Sequence, residues 1–371
     1  MRILDLETIP VRVPIDPGLA IIGSRGGHTE SPFLLLRIRT DEGLVGIGEV
    51  SCTPVWSGED QVAAAHLIHT YLEPVLVGQD PLDLARLATA MERRLAGNPF
   101  TRAGVEMALW DLLGKAAGLP LYRLWGEAQR DFVPTKFSVS GQAPERAAEI
   151  ACWAVEQGFT AMKVKVGRDL AGDLARVAAV REAIGPEVRL GVDANGGWTP
   201  WVALEAVHRL ADYDVFFIEQ PVAPHDVNQL ASVRARSAVP ILADESVNTV
   251  YDAMAIARAG AADAFSIYVG KGGGLGMARR IGQLAAAAGL ACTVGSNLEM
   301  GVASAAMIHL GMVLPPGSVE TFPCDILSMF LYEDMLLTEP LPVTAGKALP
   351  PNGPGLGVEL DQAKLERYRV R

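Results

Sequence analysis

Between residues 133 and 322, short apolar, β-branched segments recur at 133–140, 161–167, 189–195, 215–221, 240–246, 264–270, 291–297 and 317–322. From the second onward their starts lie 28, 26, 25, 24, 27 and 26 residues apart. Stretches rich in Ala, Leu, Arg and Glu fill the intervals with helical spacing, among them 144–156, 170–183, 200–210 and 275–288. One strand and one helix per period is a βα unit, and consecutive units build a parallel sheet with helices packed outside it. Eight units predict the α/β class and a modified (β/α)8 TIM-type barrel. An open doubly wound sheet is the alternative. It is disfavoured because eight units run consecutively and no glycine fingerprint follows the first strand.

The chain before this array has a different pattern. Segments 33–38 and 43–50 flank Asp41-Glu42-Gly43 and predict a β-hairpin, followed by helical patterns at 59–72, 81–96 and 101–117. The last of these stops at Gly118-Leu119-Pro120. The expected organisation is an α+β domain at 1–125, the barrel at 126–324, and a C-terminal segment at 325–371. The loop signal Gly353-Pro354-Gly355-Leu356-Gly357 suggests that this segment packs back on the first domain. With 371 residues, half of them hydrophobic, the chain has enough apolar material for such a core.

Composition removes several classes of function. Acidic residues outnumber basic ones 43 to 32 and no Lys/Arg run occurs, so nucleic acid is not an expected partner. Cys52, Cys152, Cys292 and Cys324 are widely spaced with no C-x-x-C pair. They suggest neither a disulfide framework nor a zinc site, and they suit a reducing cytoplasm. The opening MRILDLETIP has no apolar signal core, which again points to a cytoplasmic protein. Two stretches without charge, 281–298 and 300–319, are broken by Gly289 and Asn297 and by His309, Pro315 and Pro316. They are expected to be buried elements rather than membrane spans.

In such a barrel the chemistry sits at the C-terminal ends of the strands and in the loops after them. There the sequence places Lys163-Val164-Lys165, Asp193-Ala194-Asn195, Glu219-Gln220-Pro221, Asp244-Glu245-Ser246 and Gly270-Lys271-Gly272. One carboxylate at a strand end is ordinarily a helix cap or an ion-pair partner. Asp193, Glu219 and Asp244 fall on successive strands and form a hard-oxygen set suited to Mg²⁺. Lys163 and Lys165 share one strand face, although Lys-x-Lys alone reads equally well as a solvated edge. Strands two and six face each other across an eight-membered ring, so Lys165 and Lys271 are expected to flank a ligand held on the metal. Lysine is a poor base at its ordinary pKa of about 10.4, and a neighbouring cation lowers that value. Paired lysines suit removal of a proton α to a carboxylate, with the metal facing the charge of the enediolate. A phosphate-loop reading of the glycines around Lys271 fails because Gly272 follows the lysine.

These motifs together resemble the enolase superfamily, and within it the muconate-lactonizing subgroup of the mandelate racemase/muconate lactonizing enzyme family. The resemblance runs nearly end to end. It also includes Met107-Ala108-Leu109-Trp110-Asp111, Gly114-Lys115 and the terminal Gly353-Pro354-Gly355-Leu356-Gly357-Val358. It implies Asp193, Glu219 and Asp244 as ligands of Mg²⁺, or of Mn²⁺ in its place. It implies Lys165 as the acid/base, Lys163 as the neighbour that tunes it, and Lys271 as the opposite lysine. Asn195 and Glu245 would support the ligands, and Glu299 would lie near the substrate. The first domain would cap the barrel, with loops 22–31 (Arg25, His28) and 51–59 (Trp56) selecting a small carboxylate. His225, just past strand four, is a further candidate. A homo-oligomer is expected by resemblance. Strand seven lacks the histidine of the mandelate racemase subgroup, and no Asp-x-Asp follows strand eight, the pattern of dipeptide epimerases. The resemblance leaves cycloisomerase, racemase or epimerase, and dehydratase outcomes open. A non-catalytic barrel would be expected to have lost a ligand or a lysine.

Overall fold

The computed structural model describes residues 1–370 except Arg25, Thr29 and Glu127, and of His28 the backbone alone. The chain opens on a three-stranded antiparallel sheet in the order Ile3–Pro14, Glu30–Thr40, Val45–Ser51. The predicted hairpin turn closes with Gly43 N–H donating to Thr40 O at 3.1 Å, and Gly43 takes a φ of 82°, which glycine adopts without strain. The long first strand has no counterpart among the predicted elements. The helix Pro99–Ala117 lies across the sheet, buried on most sides. Its approach depends on Gly46 and Gly48, where any side chain would strike the carbonyls of Ala108 and Gly104. Glu59 caps the helix, accepting from the N–H groups of Phe100 (2.9 Å) and Thr101 (2.8 Å).

Seven parallel strands follow in sequential order: Phe137–Val139, Ala161–Lys165, Arg189–Asp193, Val215–Glu219, Ile241–Ala243, Ala264–Ile267 and Ala291–Val294. Each matches a predicted segment. The eighth prediction, 317–322, is corrected: Ser318–Thr321 is a short helix, entered after Pro315-Pro316 through Gly317 at φ 78°. The ring closes a few residues later. Cys324 N–H donates to Pro134 O and Lys136 N–H to Cys324 O on one side, while Asp325 N–H donates to Val294 O on the other. The result is a modified (β/α) barrel, its eighth position held by a short extended segment.

Of the two charge-free stretches, the first is corrected in part: it begins in the amphipathic helix Leu275–Ala287, which buries Ile281, Gly282 and Ala285 but exposes Gln283, Ala286 and Ala287, and continues in the buried strand Ala291–Val294. Helix Gly301–Val313 is buried over nearly its whole length, and no helix among the described residues is long and apolar enough to cross a membrane. Two buried carboxylates of the first sheet and helix join the N-terminal part to the barrel. Glu49 accepts from Met300 N–H (2.6 Å) and Ala303 N–H (3.0 Å), and Glu106 accepts from Gly276 N–H (3.3 Å). The tail returns to the N-terminal part, where Val370 N–H donates to Pro10 O and Leu356 N–H to Asp111 Oδ1.

Candidate active site

The charged residues at the strand ends converge at the C-terminal mouth of the barrel. Asp193 and Glu219 end their strands, and Asp244 directly follows Ile241–Ala243. Lys163 and Lys165, two apart on Ala161–Lys165, project to the same side. The buried Lys163 ammonium donates to Glu219 Oε2 at 2.9 Å and Asp325 Oδ2 at 3.0 Å, with Asp193 Oδ2 at 3.2 Å. Burial alone would lower its pKa, but the Asp325, Glu219 and Asp193 carboxylates hold it well above the usual lysine value. Lys165 donates to Asp193 Oδ2 at 2.6 Å and to Asn195 Oδ1 at 3.0 Å.

The three carboxylates differ in how well they are compensated. Burial would raise Asp193, yet Lys165, Lys163 and the N–H of Asn195 hold it below the usual range. For Glu219, burial together with the Asp193, Asp244 and Asp325 charges outweighs Lys163 and pushes its carboxyl up to about 7. Asp244 is also raised, chiefly by burial, although its Oδ1 accepts from Lys271 (2.5 Å) and its Oδ2 from the Tyr268 hydroxyl (2.9 Å). Lysines thus supply part of the positive charge this floor requires. As arranged, no three His, Cys, Asp or Glu side chains among the described residues stand close enough to chelate an ion. The donor chemistry nevertheless fits a hard divalent cation. The candidate donors are all oxygen, they come from three adjacent strands, and Glu219 Oε1 is buried with no hydrogen-bond partner.

Neighbouring polar groups brace the carboxylates. Gln220, at φ 36°, turns back so that its Oε1 accepts from Asp244 N–H (2.9 Å) and Ser246 N–H (3.1 Å). Asn195, at φ 45°, donates through Nδ2 to Glu245 Oε1 at 3.0 Å. Both predicted supporting residues therefore lie against the carboxylate cluster.

Above the floor is a cavity whose barrel side includes Lys163, Lys165, Asn195, Tyr268 and Asp325. Its roof comes from the first domain through Ile21, Gly23, Val55 and Trp56. The indole of Trp56 stacks on Tyr268, with centroids 5.3 Å apart and planes at 5°, and meets Phe100 edge-on. The hairpin Ile21–Gly23 with Gly26–His28 is tied down where Ile22 N–H donates to Ser140 Oγ (2.9 Å) and Gly141 N–H to Ile22 O (2.7 Å). Arg25 lies outside the described residues, as does the side chain of His28.

Three expected neighbours lie elsewhere. Lys271 is not among the residues lining this cavity. It borders an adjacent one with Glu245, Asn248 and Pro224, and Trp56 is common to both. Glu299 is buried behind the loop, accepting from Ser296 Oγ (2.6 Å) and Asn297 N–H (2.9 Å). His225 borders neither cavity. Three participants are missing from the sequence-based set. Tyr268 reads as an ordinary aromatic at a strand end, and Asp325 lies beyond a misplaced eighth strand. Lys136 is fully buried and pairs with Asp325 at 3.1 Å; a lysine within an apolar strand pattern is the available signal.

Comparison with known proteins agrees with this architecture. Residues 5–126 match the family described as Mandelate racemase / muconate lactonizing enzyme, N-terminal domain, and residues 145–364 match Enolase C-terminal domain-like. Muconate cycloisomerase 1 of Rhodococcus opacus is 34% identical over 344 residues, covering 92% of this chain and 91% of its own. N-succinyl-L-Arg/Lys racemase of Bacillus cereus is 31% identical over 311 residues, 84% of either chain. Its crystal structure has a TM-score of 0.95 at 28% identity, covering 100% of this chain and 99% of that one. The crystal structure of a dipeptide epimerase from Enterococcus faecalis V583, complexed with Mg and the dipeptide L-Leu-L-Tyr, has a TM-score of 0.91 at 29% identity, covering 97% and 100%.

Proposed function

The chain belongs to the mandelate racemase/muconate lactonizing enzyme family of the enolase superfamily and is an isomerase, and from that premise we propose that it removes the proton α to the carboxylate of a small substrate. The observation that carries this reading is Lys165, which borders the cavity while its amine group shares an Asp193 oxygen with the buried Lys163. Lys165 Nζ is the group that accepts the α-proton, and Asn195 Oδ1 and Asp193 Oδ2 aim it. Lys163 stays charged at the floor and holds Asp193, Glu219 and Asp325 together.

Asp193, Glu219 and Asp244 are the residues that would hold Mg²⁺. Such an ion, when bound, supplies positive charge against the second negative charge an enediolate develops. Gln220 fixes the backbone from which Asp244 projects, and Lys271 restrains the Asp244 carboxylate. The first-domain roof keeps water from the α-carbon and selects the substrate's outer portion, with Trp56 as its largest surface. The muconate and N-succinyl amino acid chemistry of the relatives indicates carboxylates of modest size.

The test is proton NMR of carboxylate probes, muconolactone and N-succinyl-L-arginine among them, incubated in D₂O with the Mg²⁺-loaded enzyme. The expected result is deuterium at the α-carbon of a probe or its isomerised product, dependent on Mg²⁺ and lost in Lys165→Met. Exchange that persists in Lys165→Met overturns the reading.

A further inference from the structure

We propose that Lys136 determines specificity from beneath the site: it commits its charge to Asp325, so the cavity takes small carboxylates whose group facing Asp325 is uncharged or anionic rather than an ammonium. The proposal rests on the reading of this cavity as the site of a small carboxylate.

A lysine inside an apolar barrel is costly unless a charge meets it. Lys136 lies between the short segment Val133–Pro134 and the strand Phe137–Val139, with no exposed surface. Residues 136 and 138 are two apart, and both turn to Asp325. Lys136 Nζ lies 3.1 Å from Asp325 Oδ2, and Ser138 Oγ donates to Asp325 Oδ1 at 3.4 Å. The other polar partner of the ammonium is a carbonyl, Pro323 O at 2.5 Å, and the centre of the Phe217 ring lies 5.8 Å away. Among the described residues, Asp325 is thus the one carboxylate with which Lys136 pairs. It makes no hydrogen bond or ion pair there with Asp193, Glu219 or Asp244.

Lys163 reaches the same Asp325 oxygen at 3.0 Å, but its charge is divided with Glu219 at 2.9 Å and Asp193 at 3.2 Å. It does not neutralise Asp325 by itself. Burial would raise the Asp325 carboxyl, yet Lys136 and then Lys163 hold it below the usual range. The group is therefore an ionised carboxylate whose charge is answered from below. Lys136 is not among the residues bordering the cavity, whereas Asp325 and Ser138 are, so it acts through Asp325 as a positioning residue.

The balance of charge on the cavity wall gives this pairing its consequence. Among the described residues that border the cavity, Asp325 is the one carboxylate, against the ammonium groups of Lys163 and Lys165. A substrate ammonium entering here would need a carboxylate free to pair with it. It meets one already bound to two lysines, and losing its water is then not repaid. A hydroxyl or an acylated nitrogen can donate its single hydrogen to Asp325 Oδ1 without bringing a charge. Hydroxy acids, lactones and N-acyl amino acids are therefore favoured over free amino acids and dipeptides.

The test uses the Mg²⁺-loaded full chain at pH 7 and two pairs of probes that differ in one charged nitrogen. They are L-lactoyl-L-phenylalanine against L-alanyl-L-phenylalanine, and L-3-phenyllactate against L-phenylalanine. Calorimetry gives the ratio of affinities, hydroxyl over amine, within each pair. The wild type should favour the hydroxyl by at least about tenfold, the scale of one unit charge in partly screened surroundings. Lys136→Met should lower that ratio by about tenfold, because Asp325 is then free to pair with the amine. Asp325→Asn in the same background should restore it, a reversal that a space-filling role for Lys136 would not produce. Lys136→Gln, which keeps a donor for the Pro323 carbonyl, takes the place of Lys136→Met if circular dichroism shows the latter unfolded.

A wild type without the preference, a ratio unchanged in the Lys136 variant, or no binding by any probe overturns the proposal. α-Proton exchange in D₂O is followed separately, with N-succinyl-L-arginine as a further probe. Absence of exchange with the affinity ratios as expected defeats the reading of Lys165 as base and supports the role of Lys136.

Discussion

The floor and the roof of the cavity are held by different forces. On the floor, Lys163 lies within 3.2 Å of carboxylate oxygens from Asp193, Glu219 and Asp325, and every member is buried and bound by charge-assisted hydrogen bonds from adjacent strands. On the roof, Trp56 rides on the four-residue helix Pro54–Ser57. It is positioned by ring stacking and by neutral side-chain bonds nearby, from Asn297 Nδ2 to Thr53 Oγ1 at 3.0 Å and from Ser57 Oγ to Thr53 O at 3.0 Å. Moving a floor group would leave a buried charge uncompensated, which costs several kcal/mol, about 3–5 where a buried pair is broken. Moving the roof exchanges one apolar contact for another. A rigid floor serves a fixed partial reaction, and an adjustable roof lets substrates vary on the same chemistry.

The sharpest test of that contrast is the loss of the proposed base. Lys165→Met should lower α-proton exchange by about 10³ or more, near the upper range for a single acid/base group, while circular dichroism stays that of the wild type. An equal loss in a roof variant would erase the distinction. Next in size, Glu219→Gln should weaken Mg²⁺ binding by more than the roughly 10–100-fold typical of losing an outer-shell partner, as read by calorimetry. Unchanged affinity would remove Glu219 from the ligand set.

The same contrast decides what can be read in the chain. Strand-end carboxylates and lysines recur with the βα period, so the repeat alone assigns Lys163, Lys165, Asp193, Glu219 and Asp244 to one mouth of the barrel. Periodicity specifies which end of the barrel a residue occupies. It does not specify which way a loop turns beyond the strand. Lys271 lies past the end of Ala264–Ile267 among glycines, and it borders the adjoining cavity rather than the one that Lys165 borders. The eighth segment fails for a similar reason. Val319 and Phe322 suggest a strand, but Pro315-Pro316-Gly317 starts a helical turn, and Asp325 reaches the floor only after it. The joints between the parts, Glu49 and Glu106 on helix N-termini, pair residues far apart in sequence and carry no local signal.

On the roof, Trp56→Ala should act mainly on substrate binding. An increase of about tenfold in KM with kcat nearly unchanged is expected, the size of one lost apolar contact in a specificity pocket. A fall in kcat alone would mean that the indole also aligns the reacting groups, and the roof would then share the work of the floor.

The smallest effect is expected at the seam between the two. Burial raises Glu49 from its ordinary 4.5 to about 8, against the downward pull of the Ala303 and Met300 N–H groups, and burial likewise raises Glu106 to about 7. A carboxyl whose folded-state pKa is raised binds its proton more tightly when folded. Its contribution to stability is therefore fully present below the unfolded value, declines as pH rises, and is lost through about 8 for Glu49. Glutamine at this position cannot titrate. Between about pH 5 and about pH 8.5 the Tm of the wild type should thus fall further than that of Glu49→Gln, by on the order of 2–4 °C. Parallel Tm curves would mean that Glu49 stays ionised against the Gly301–Val313 helix, the N-terminal dipole outweighing its burial. The seam would then belong with the charge-compensated floor rather than with the roof.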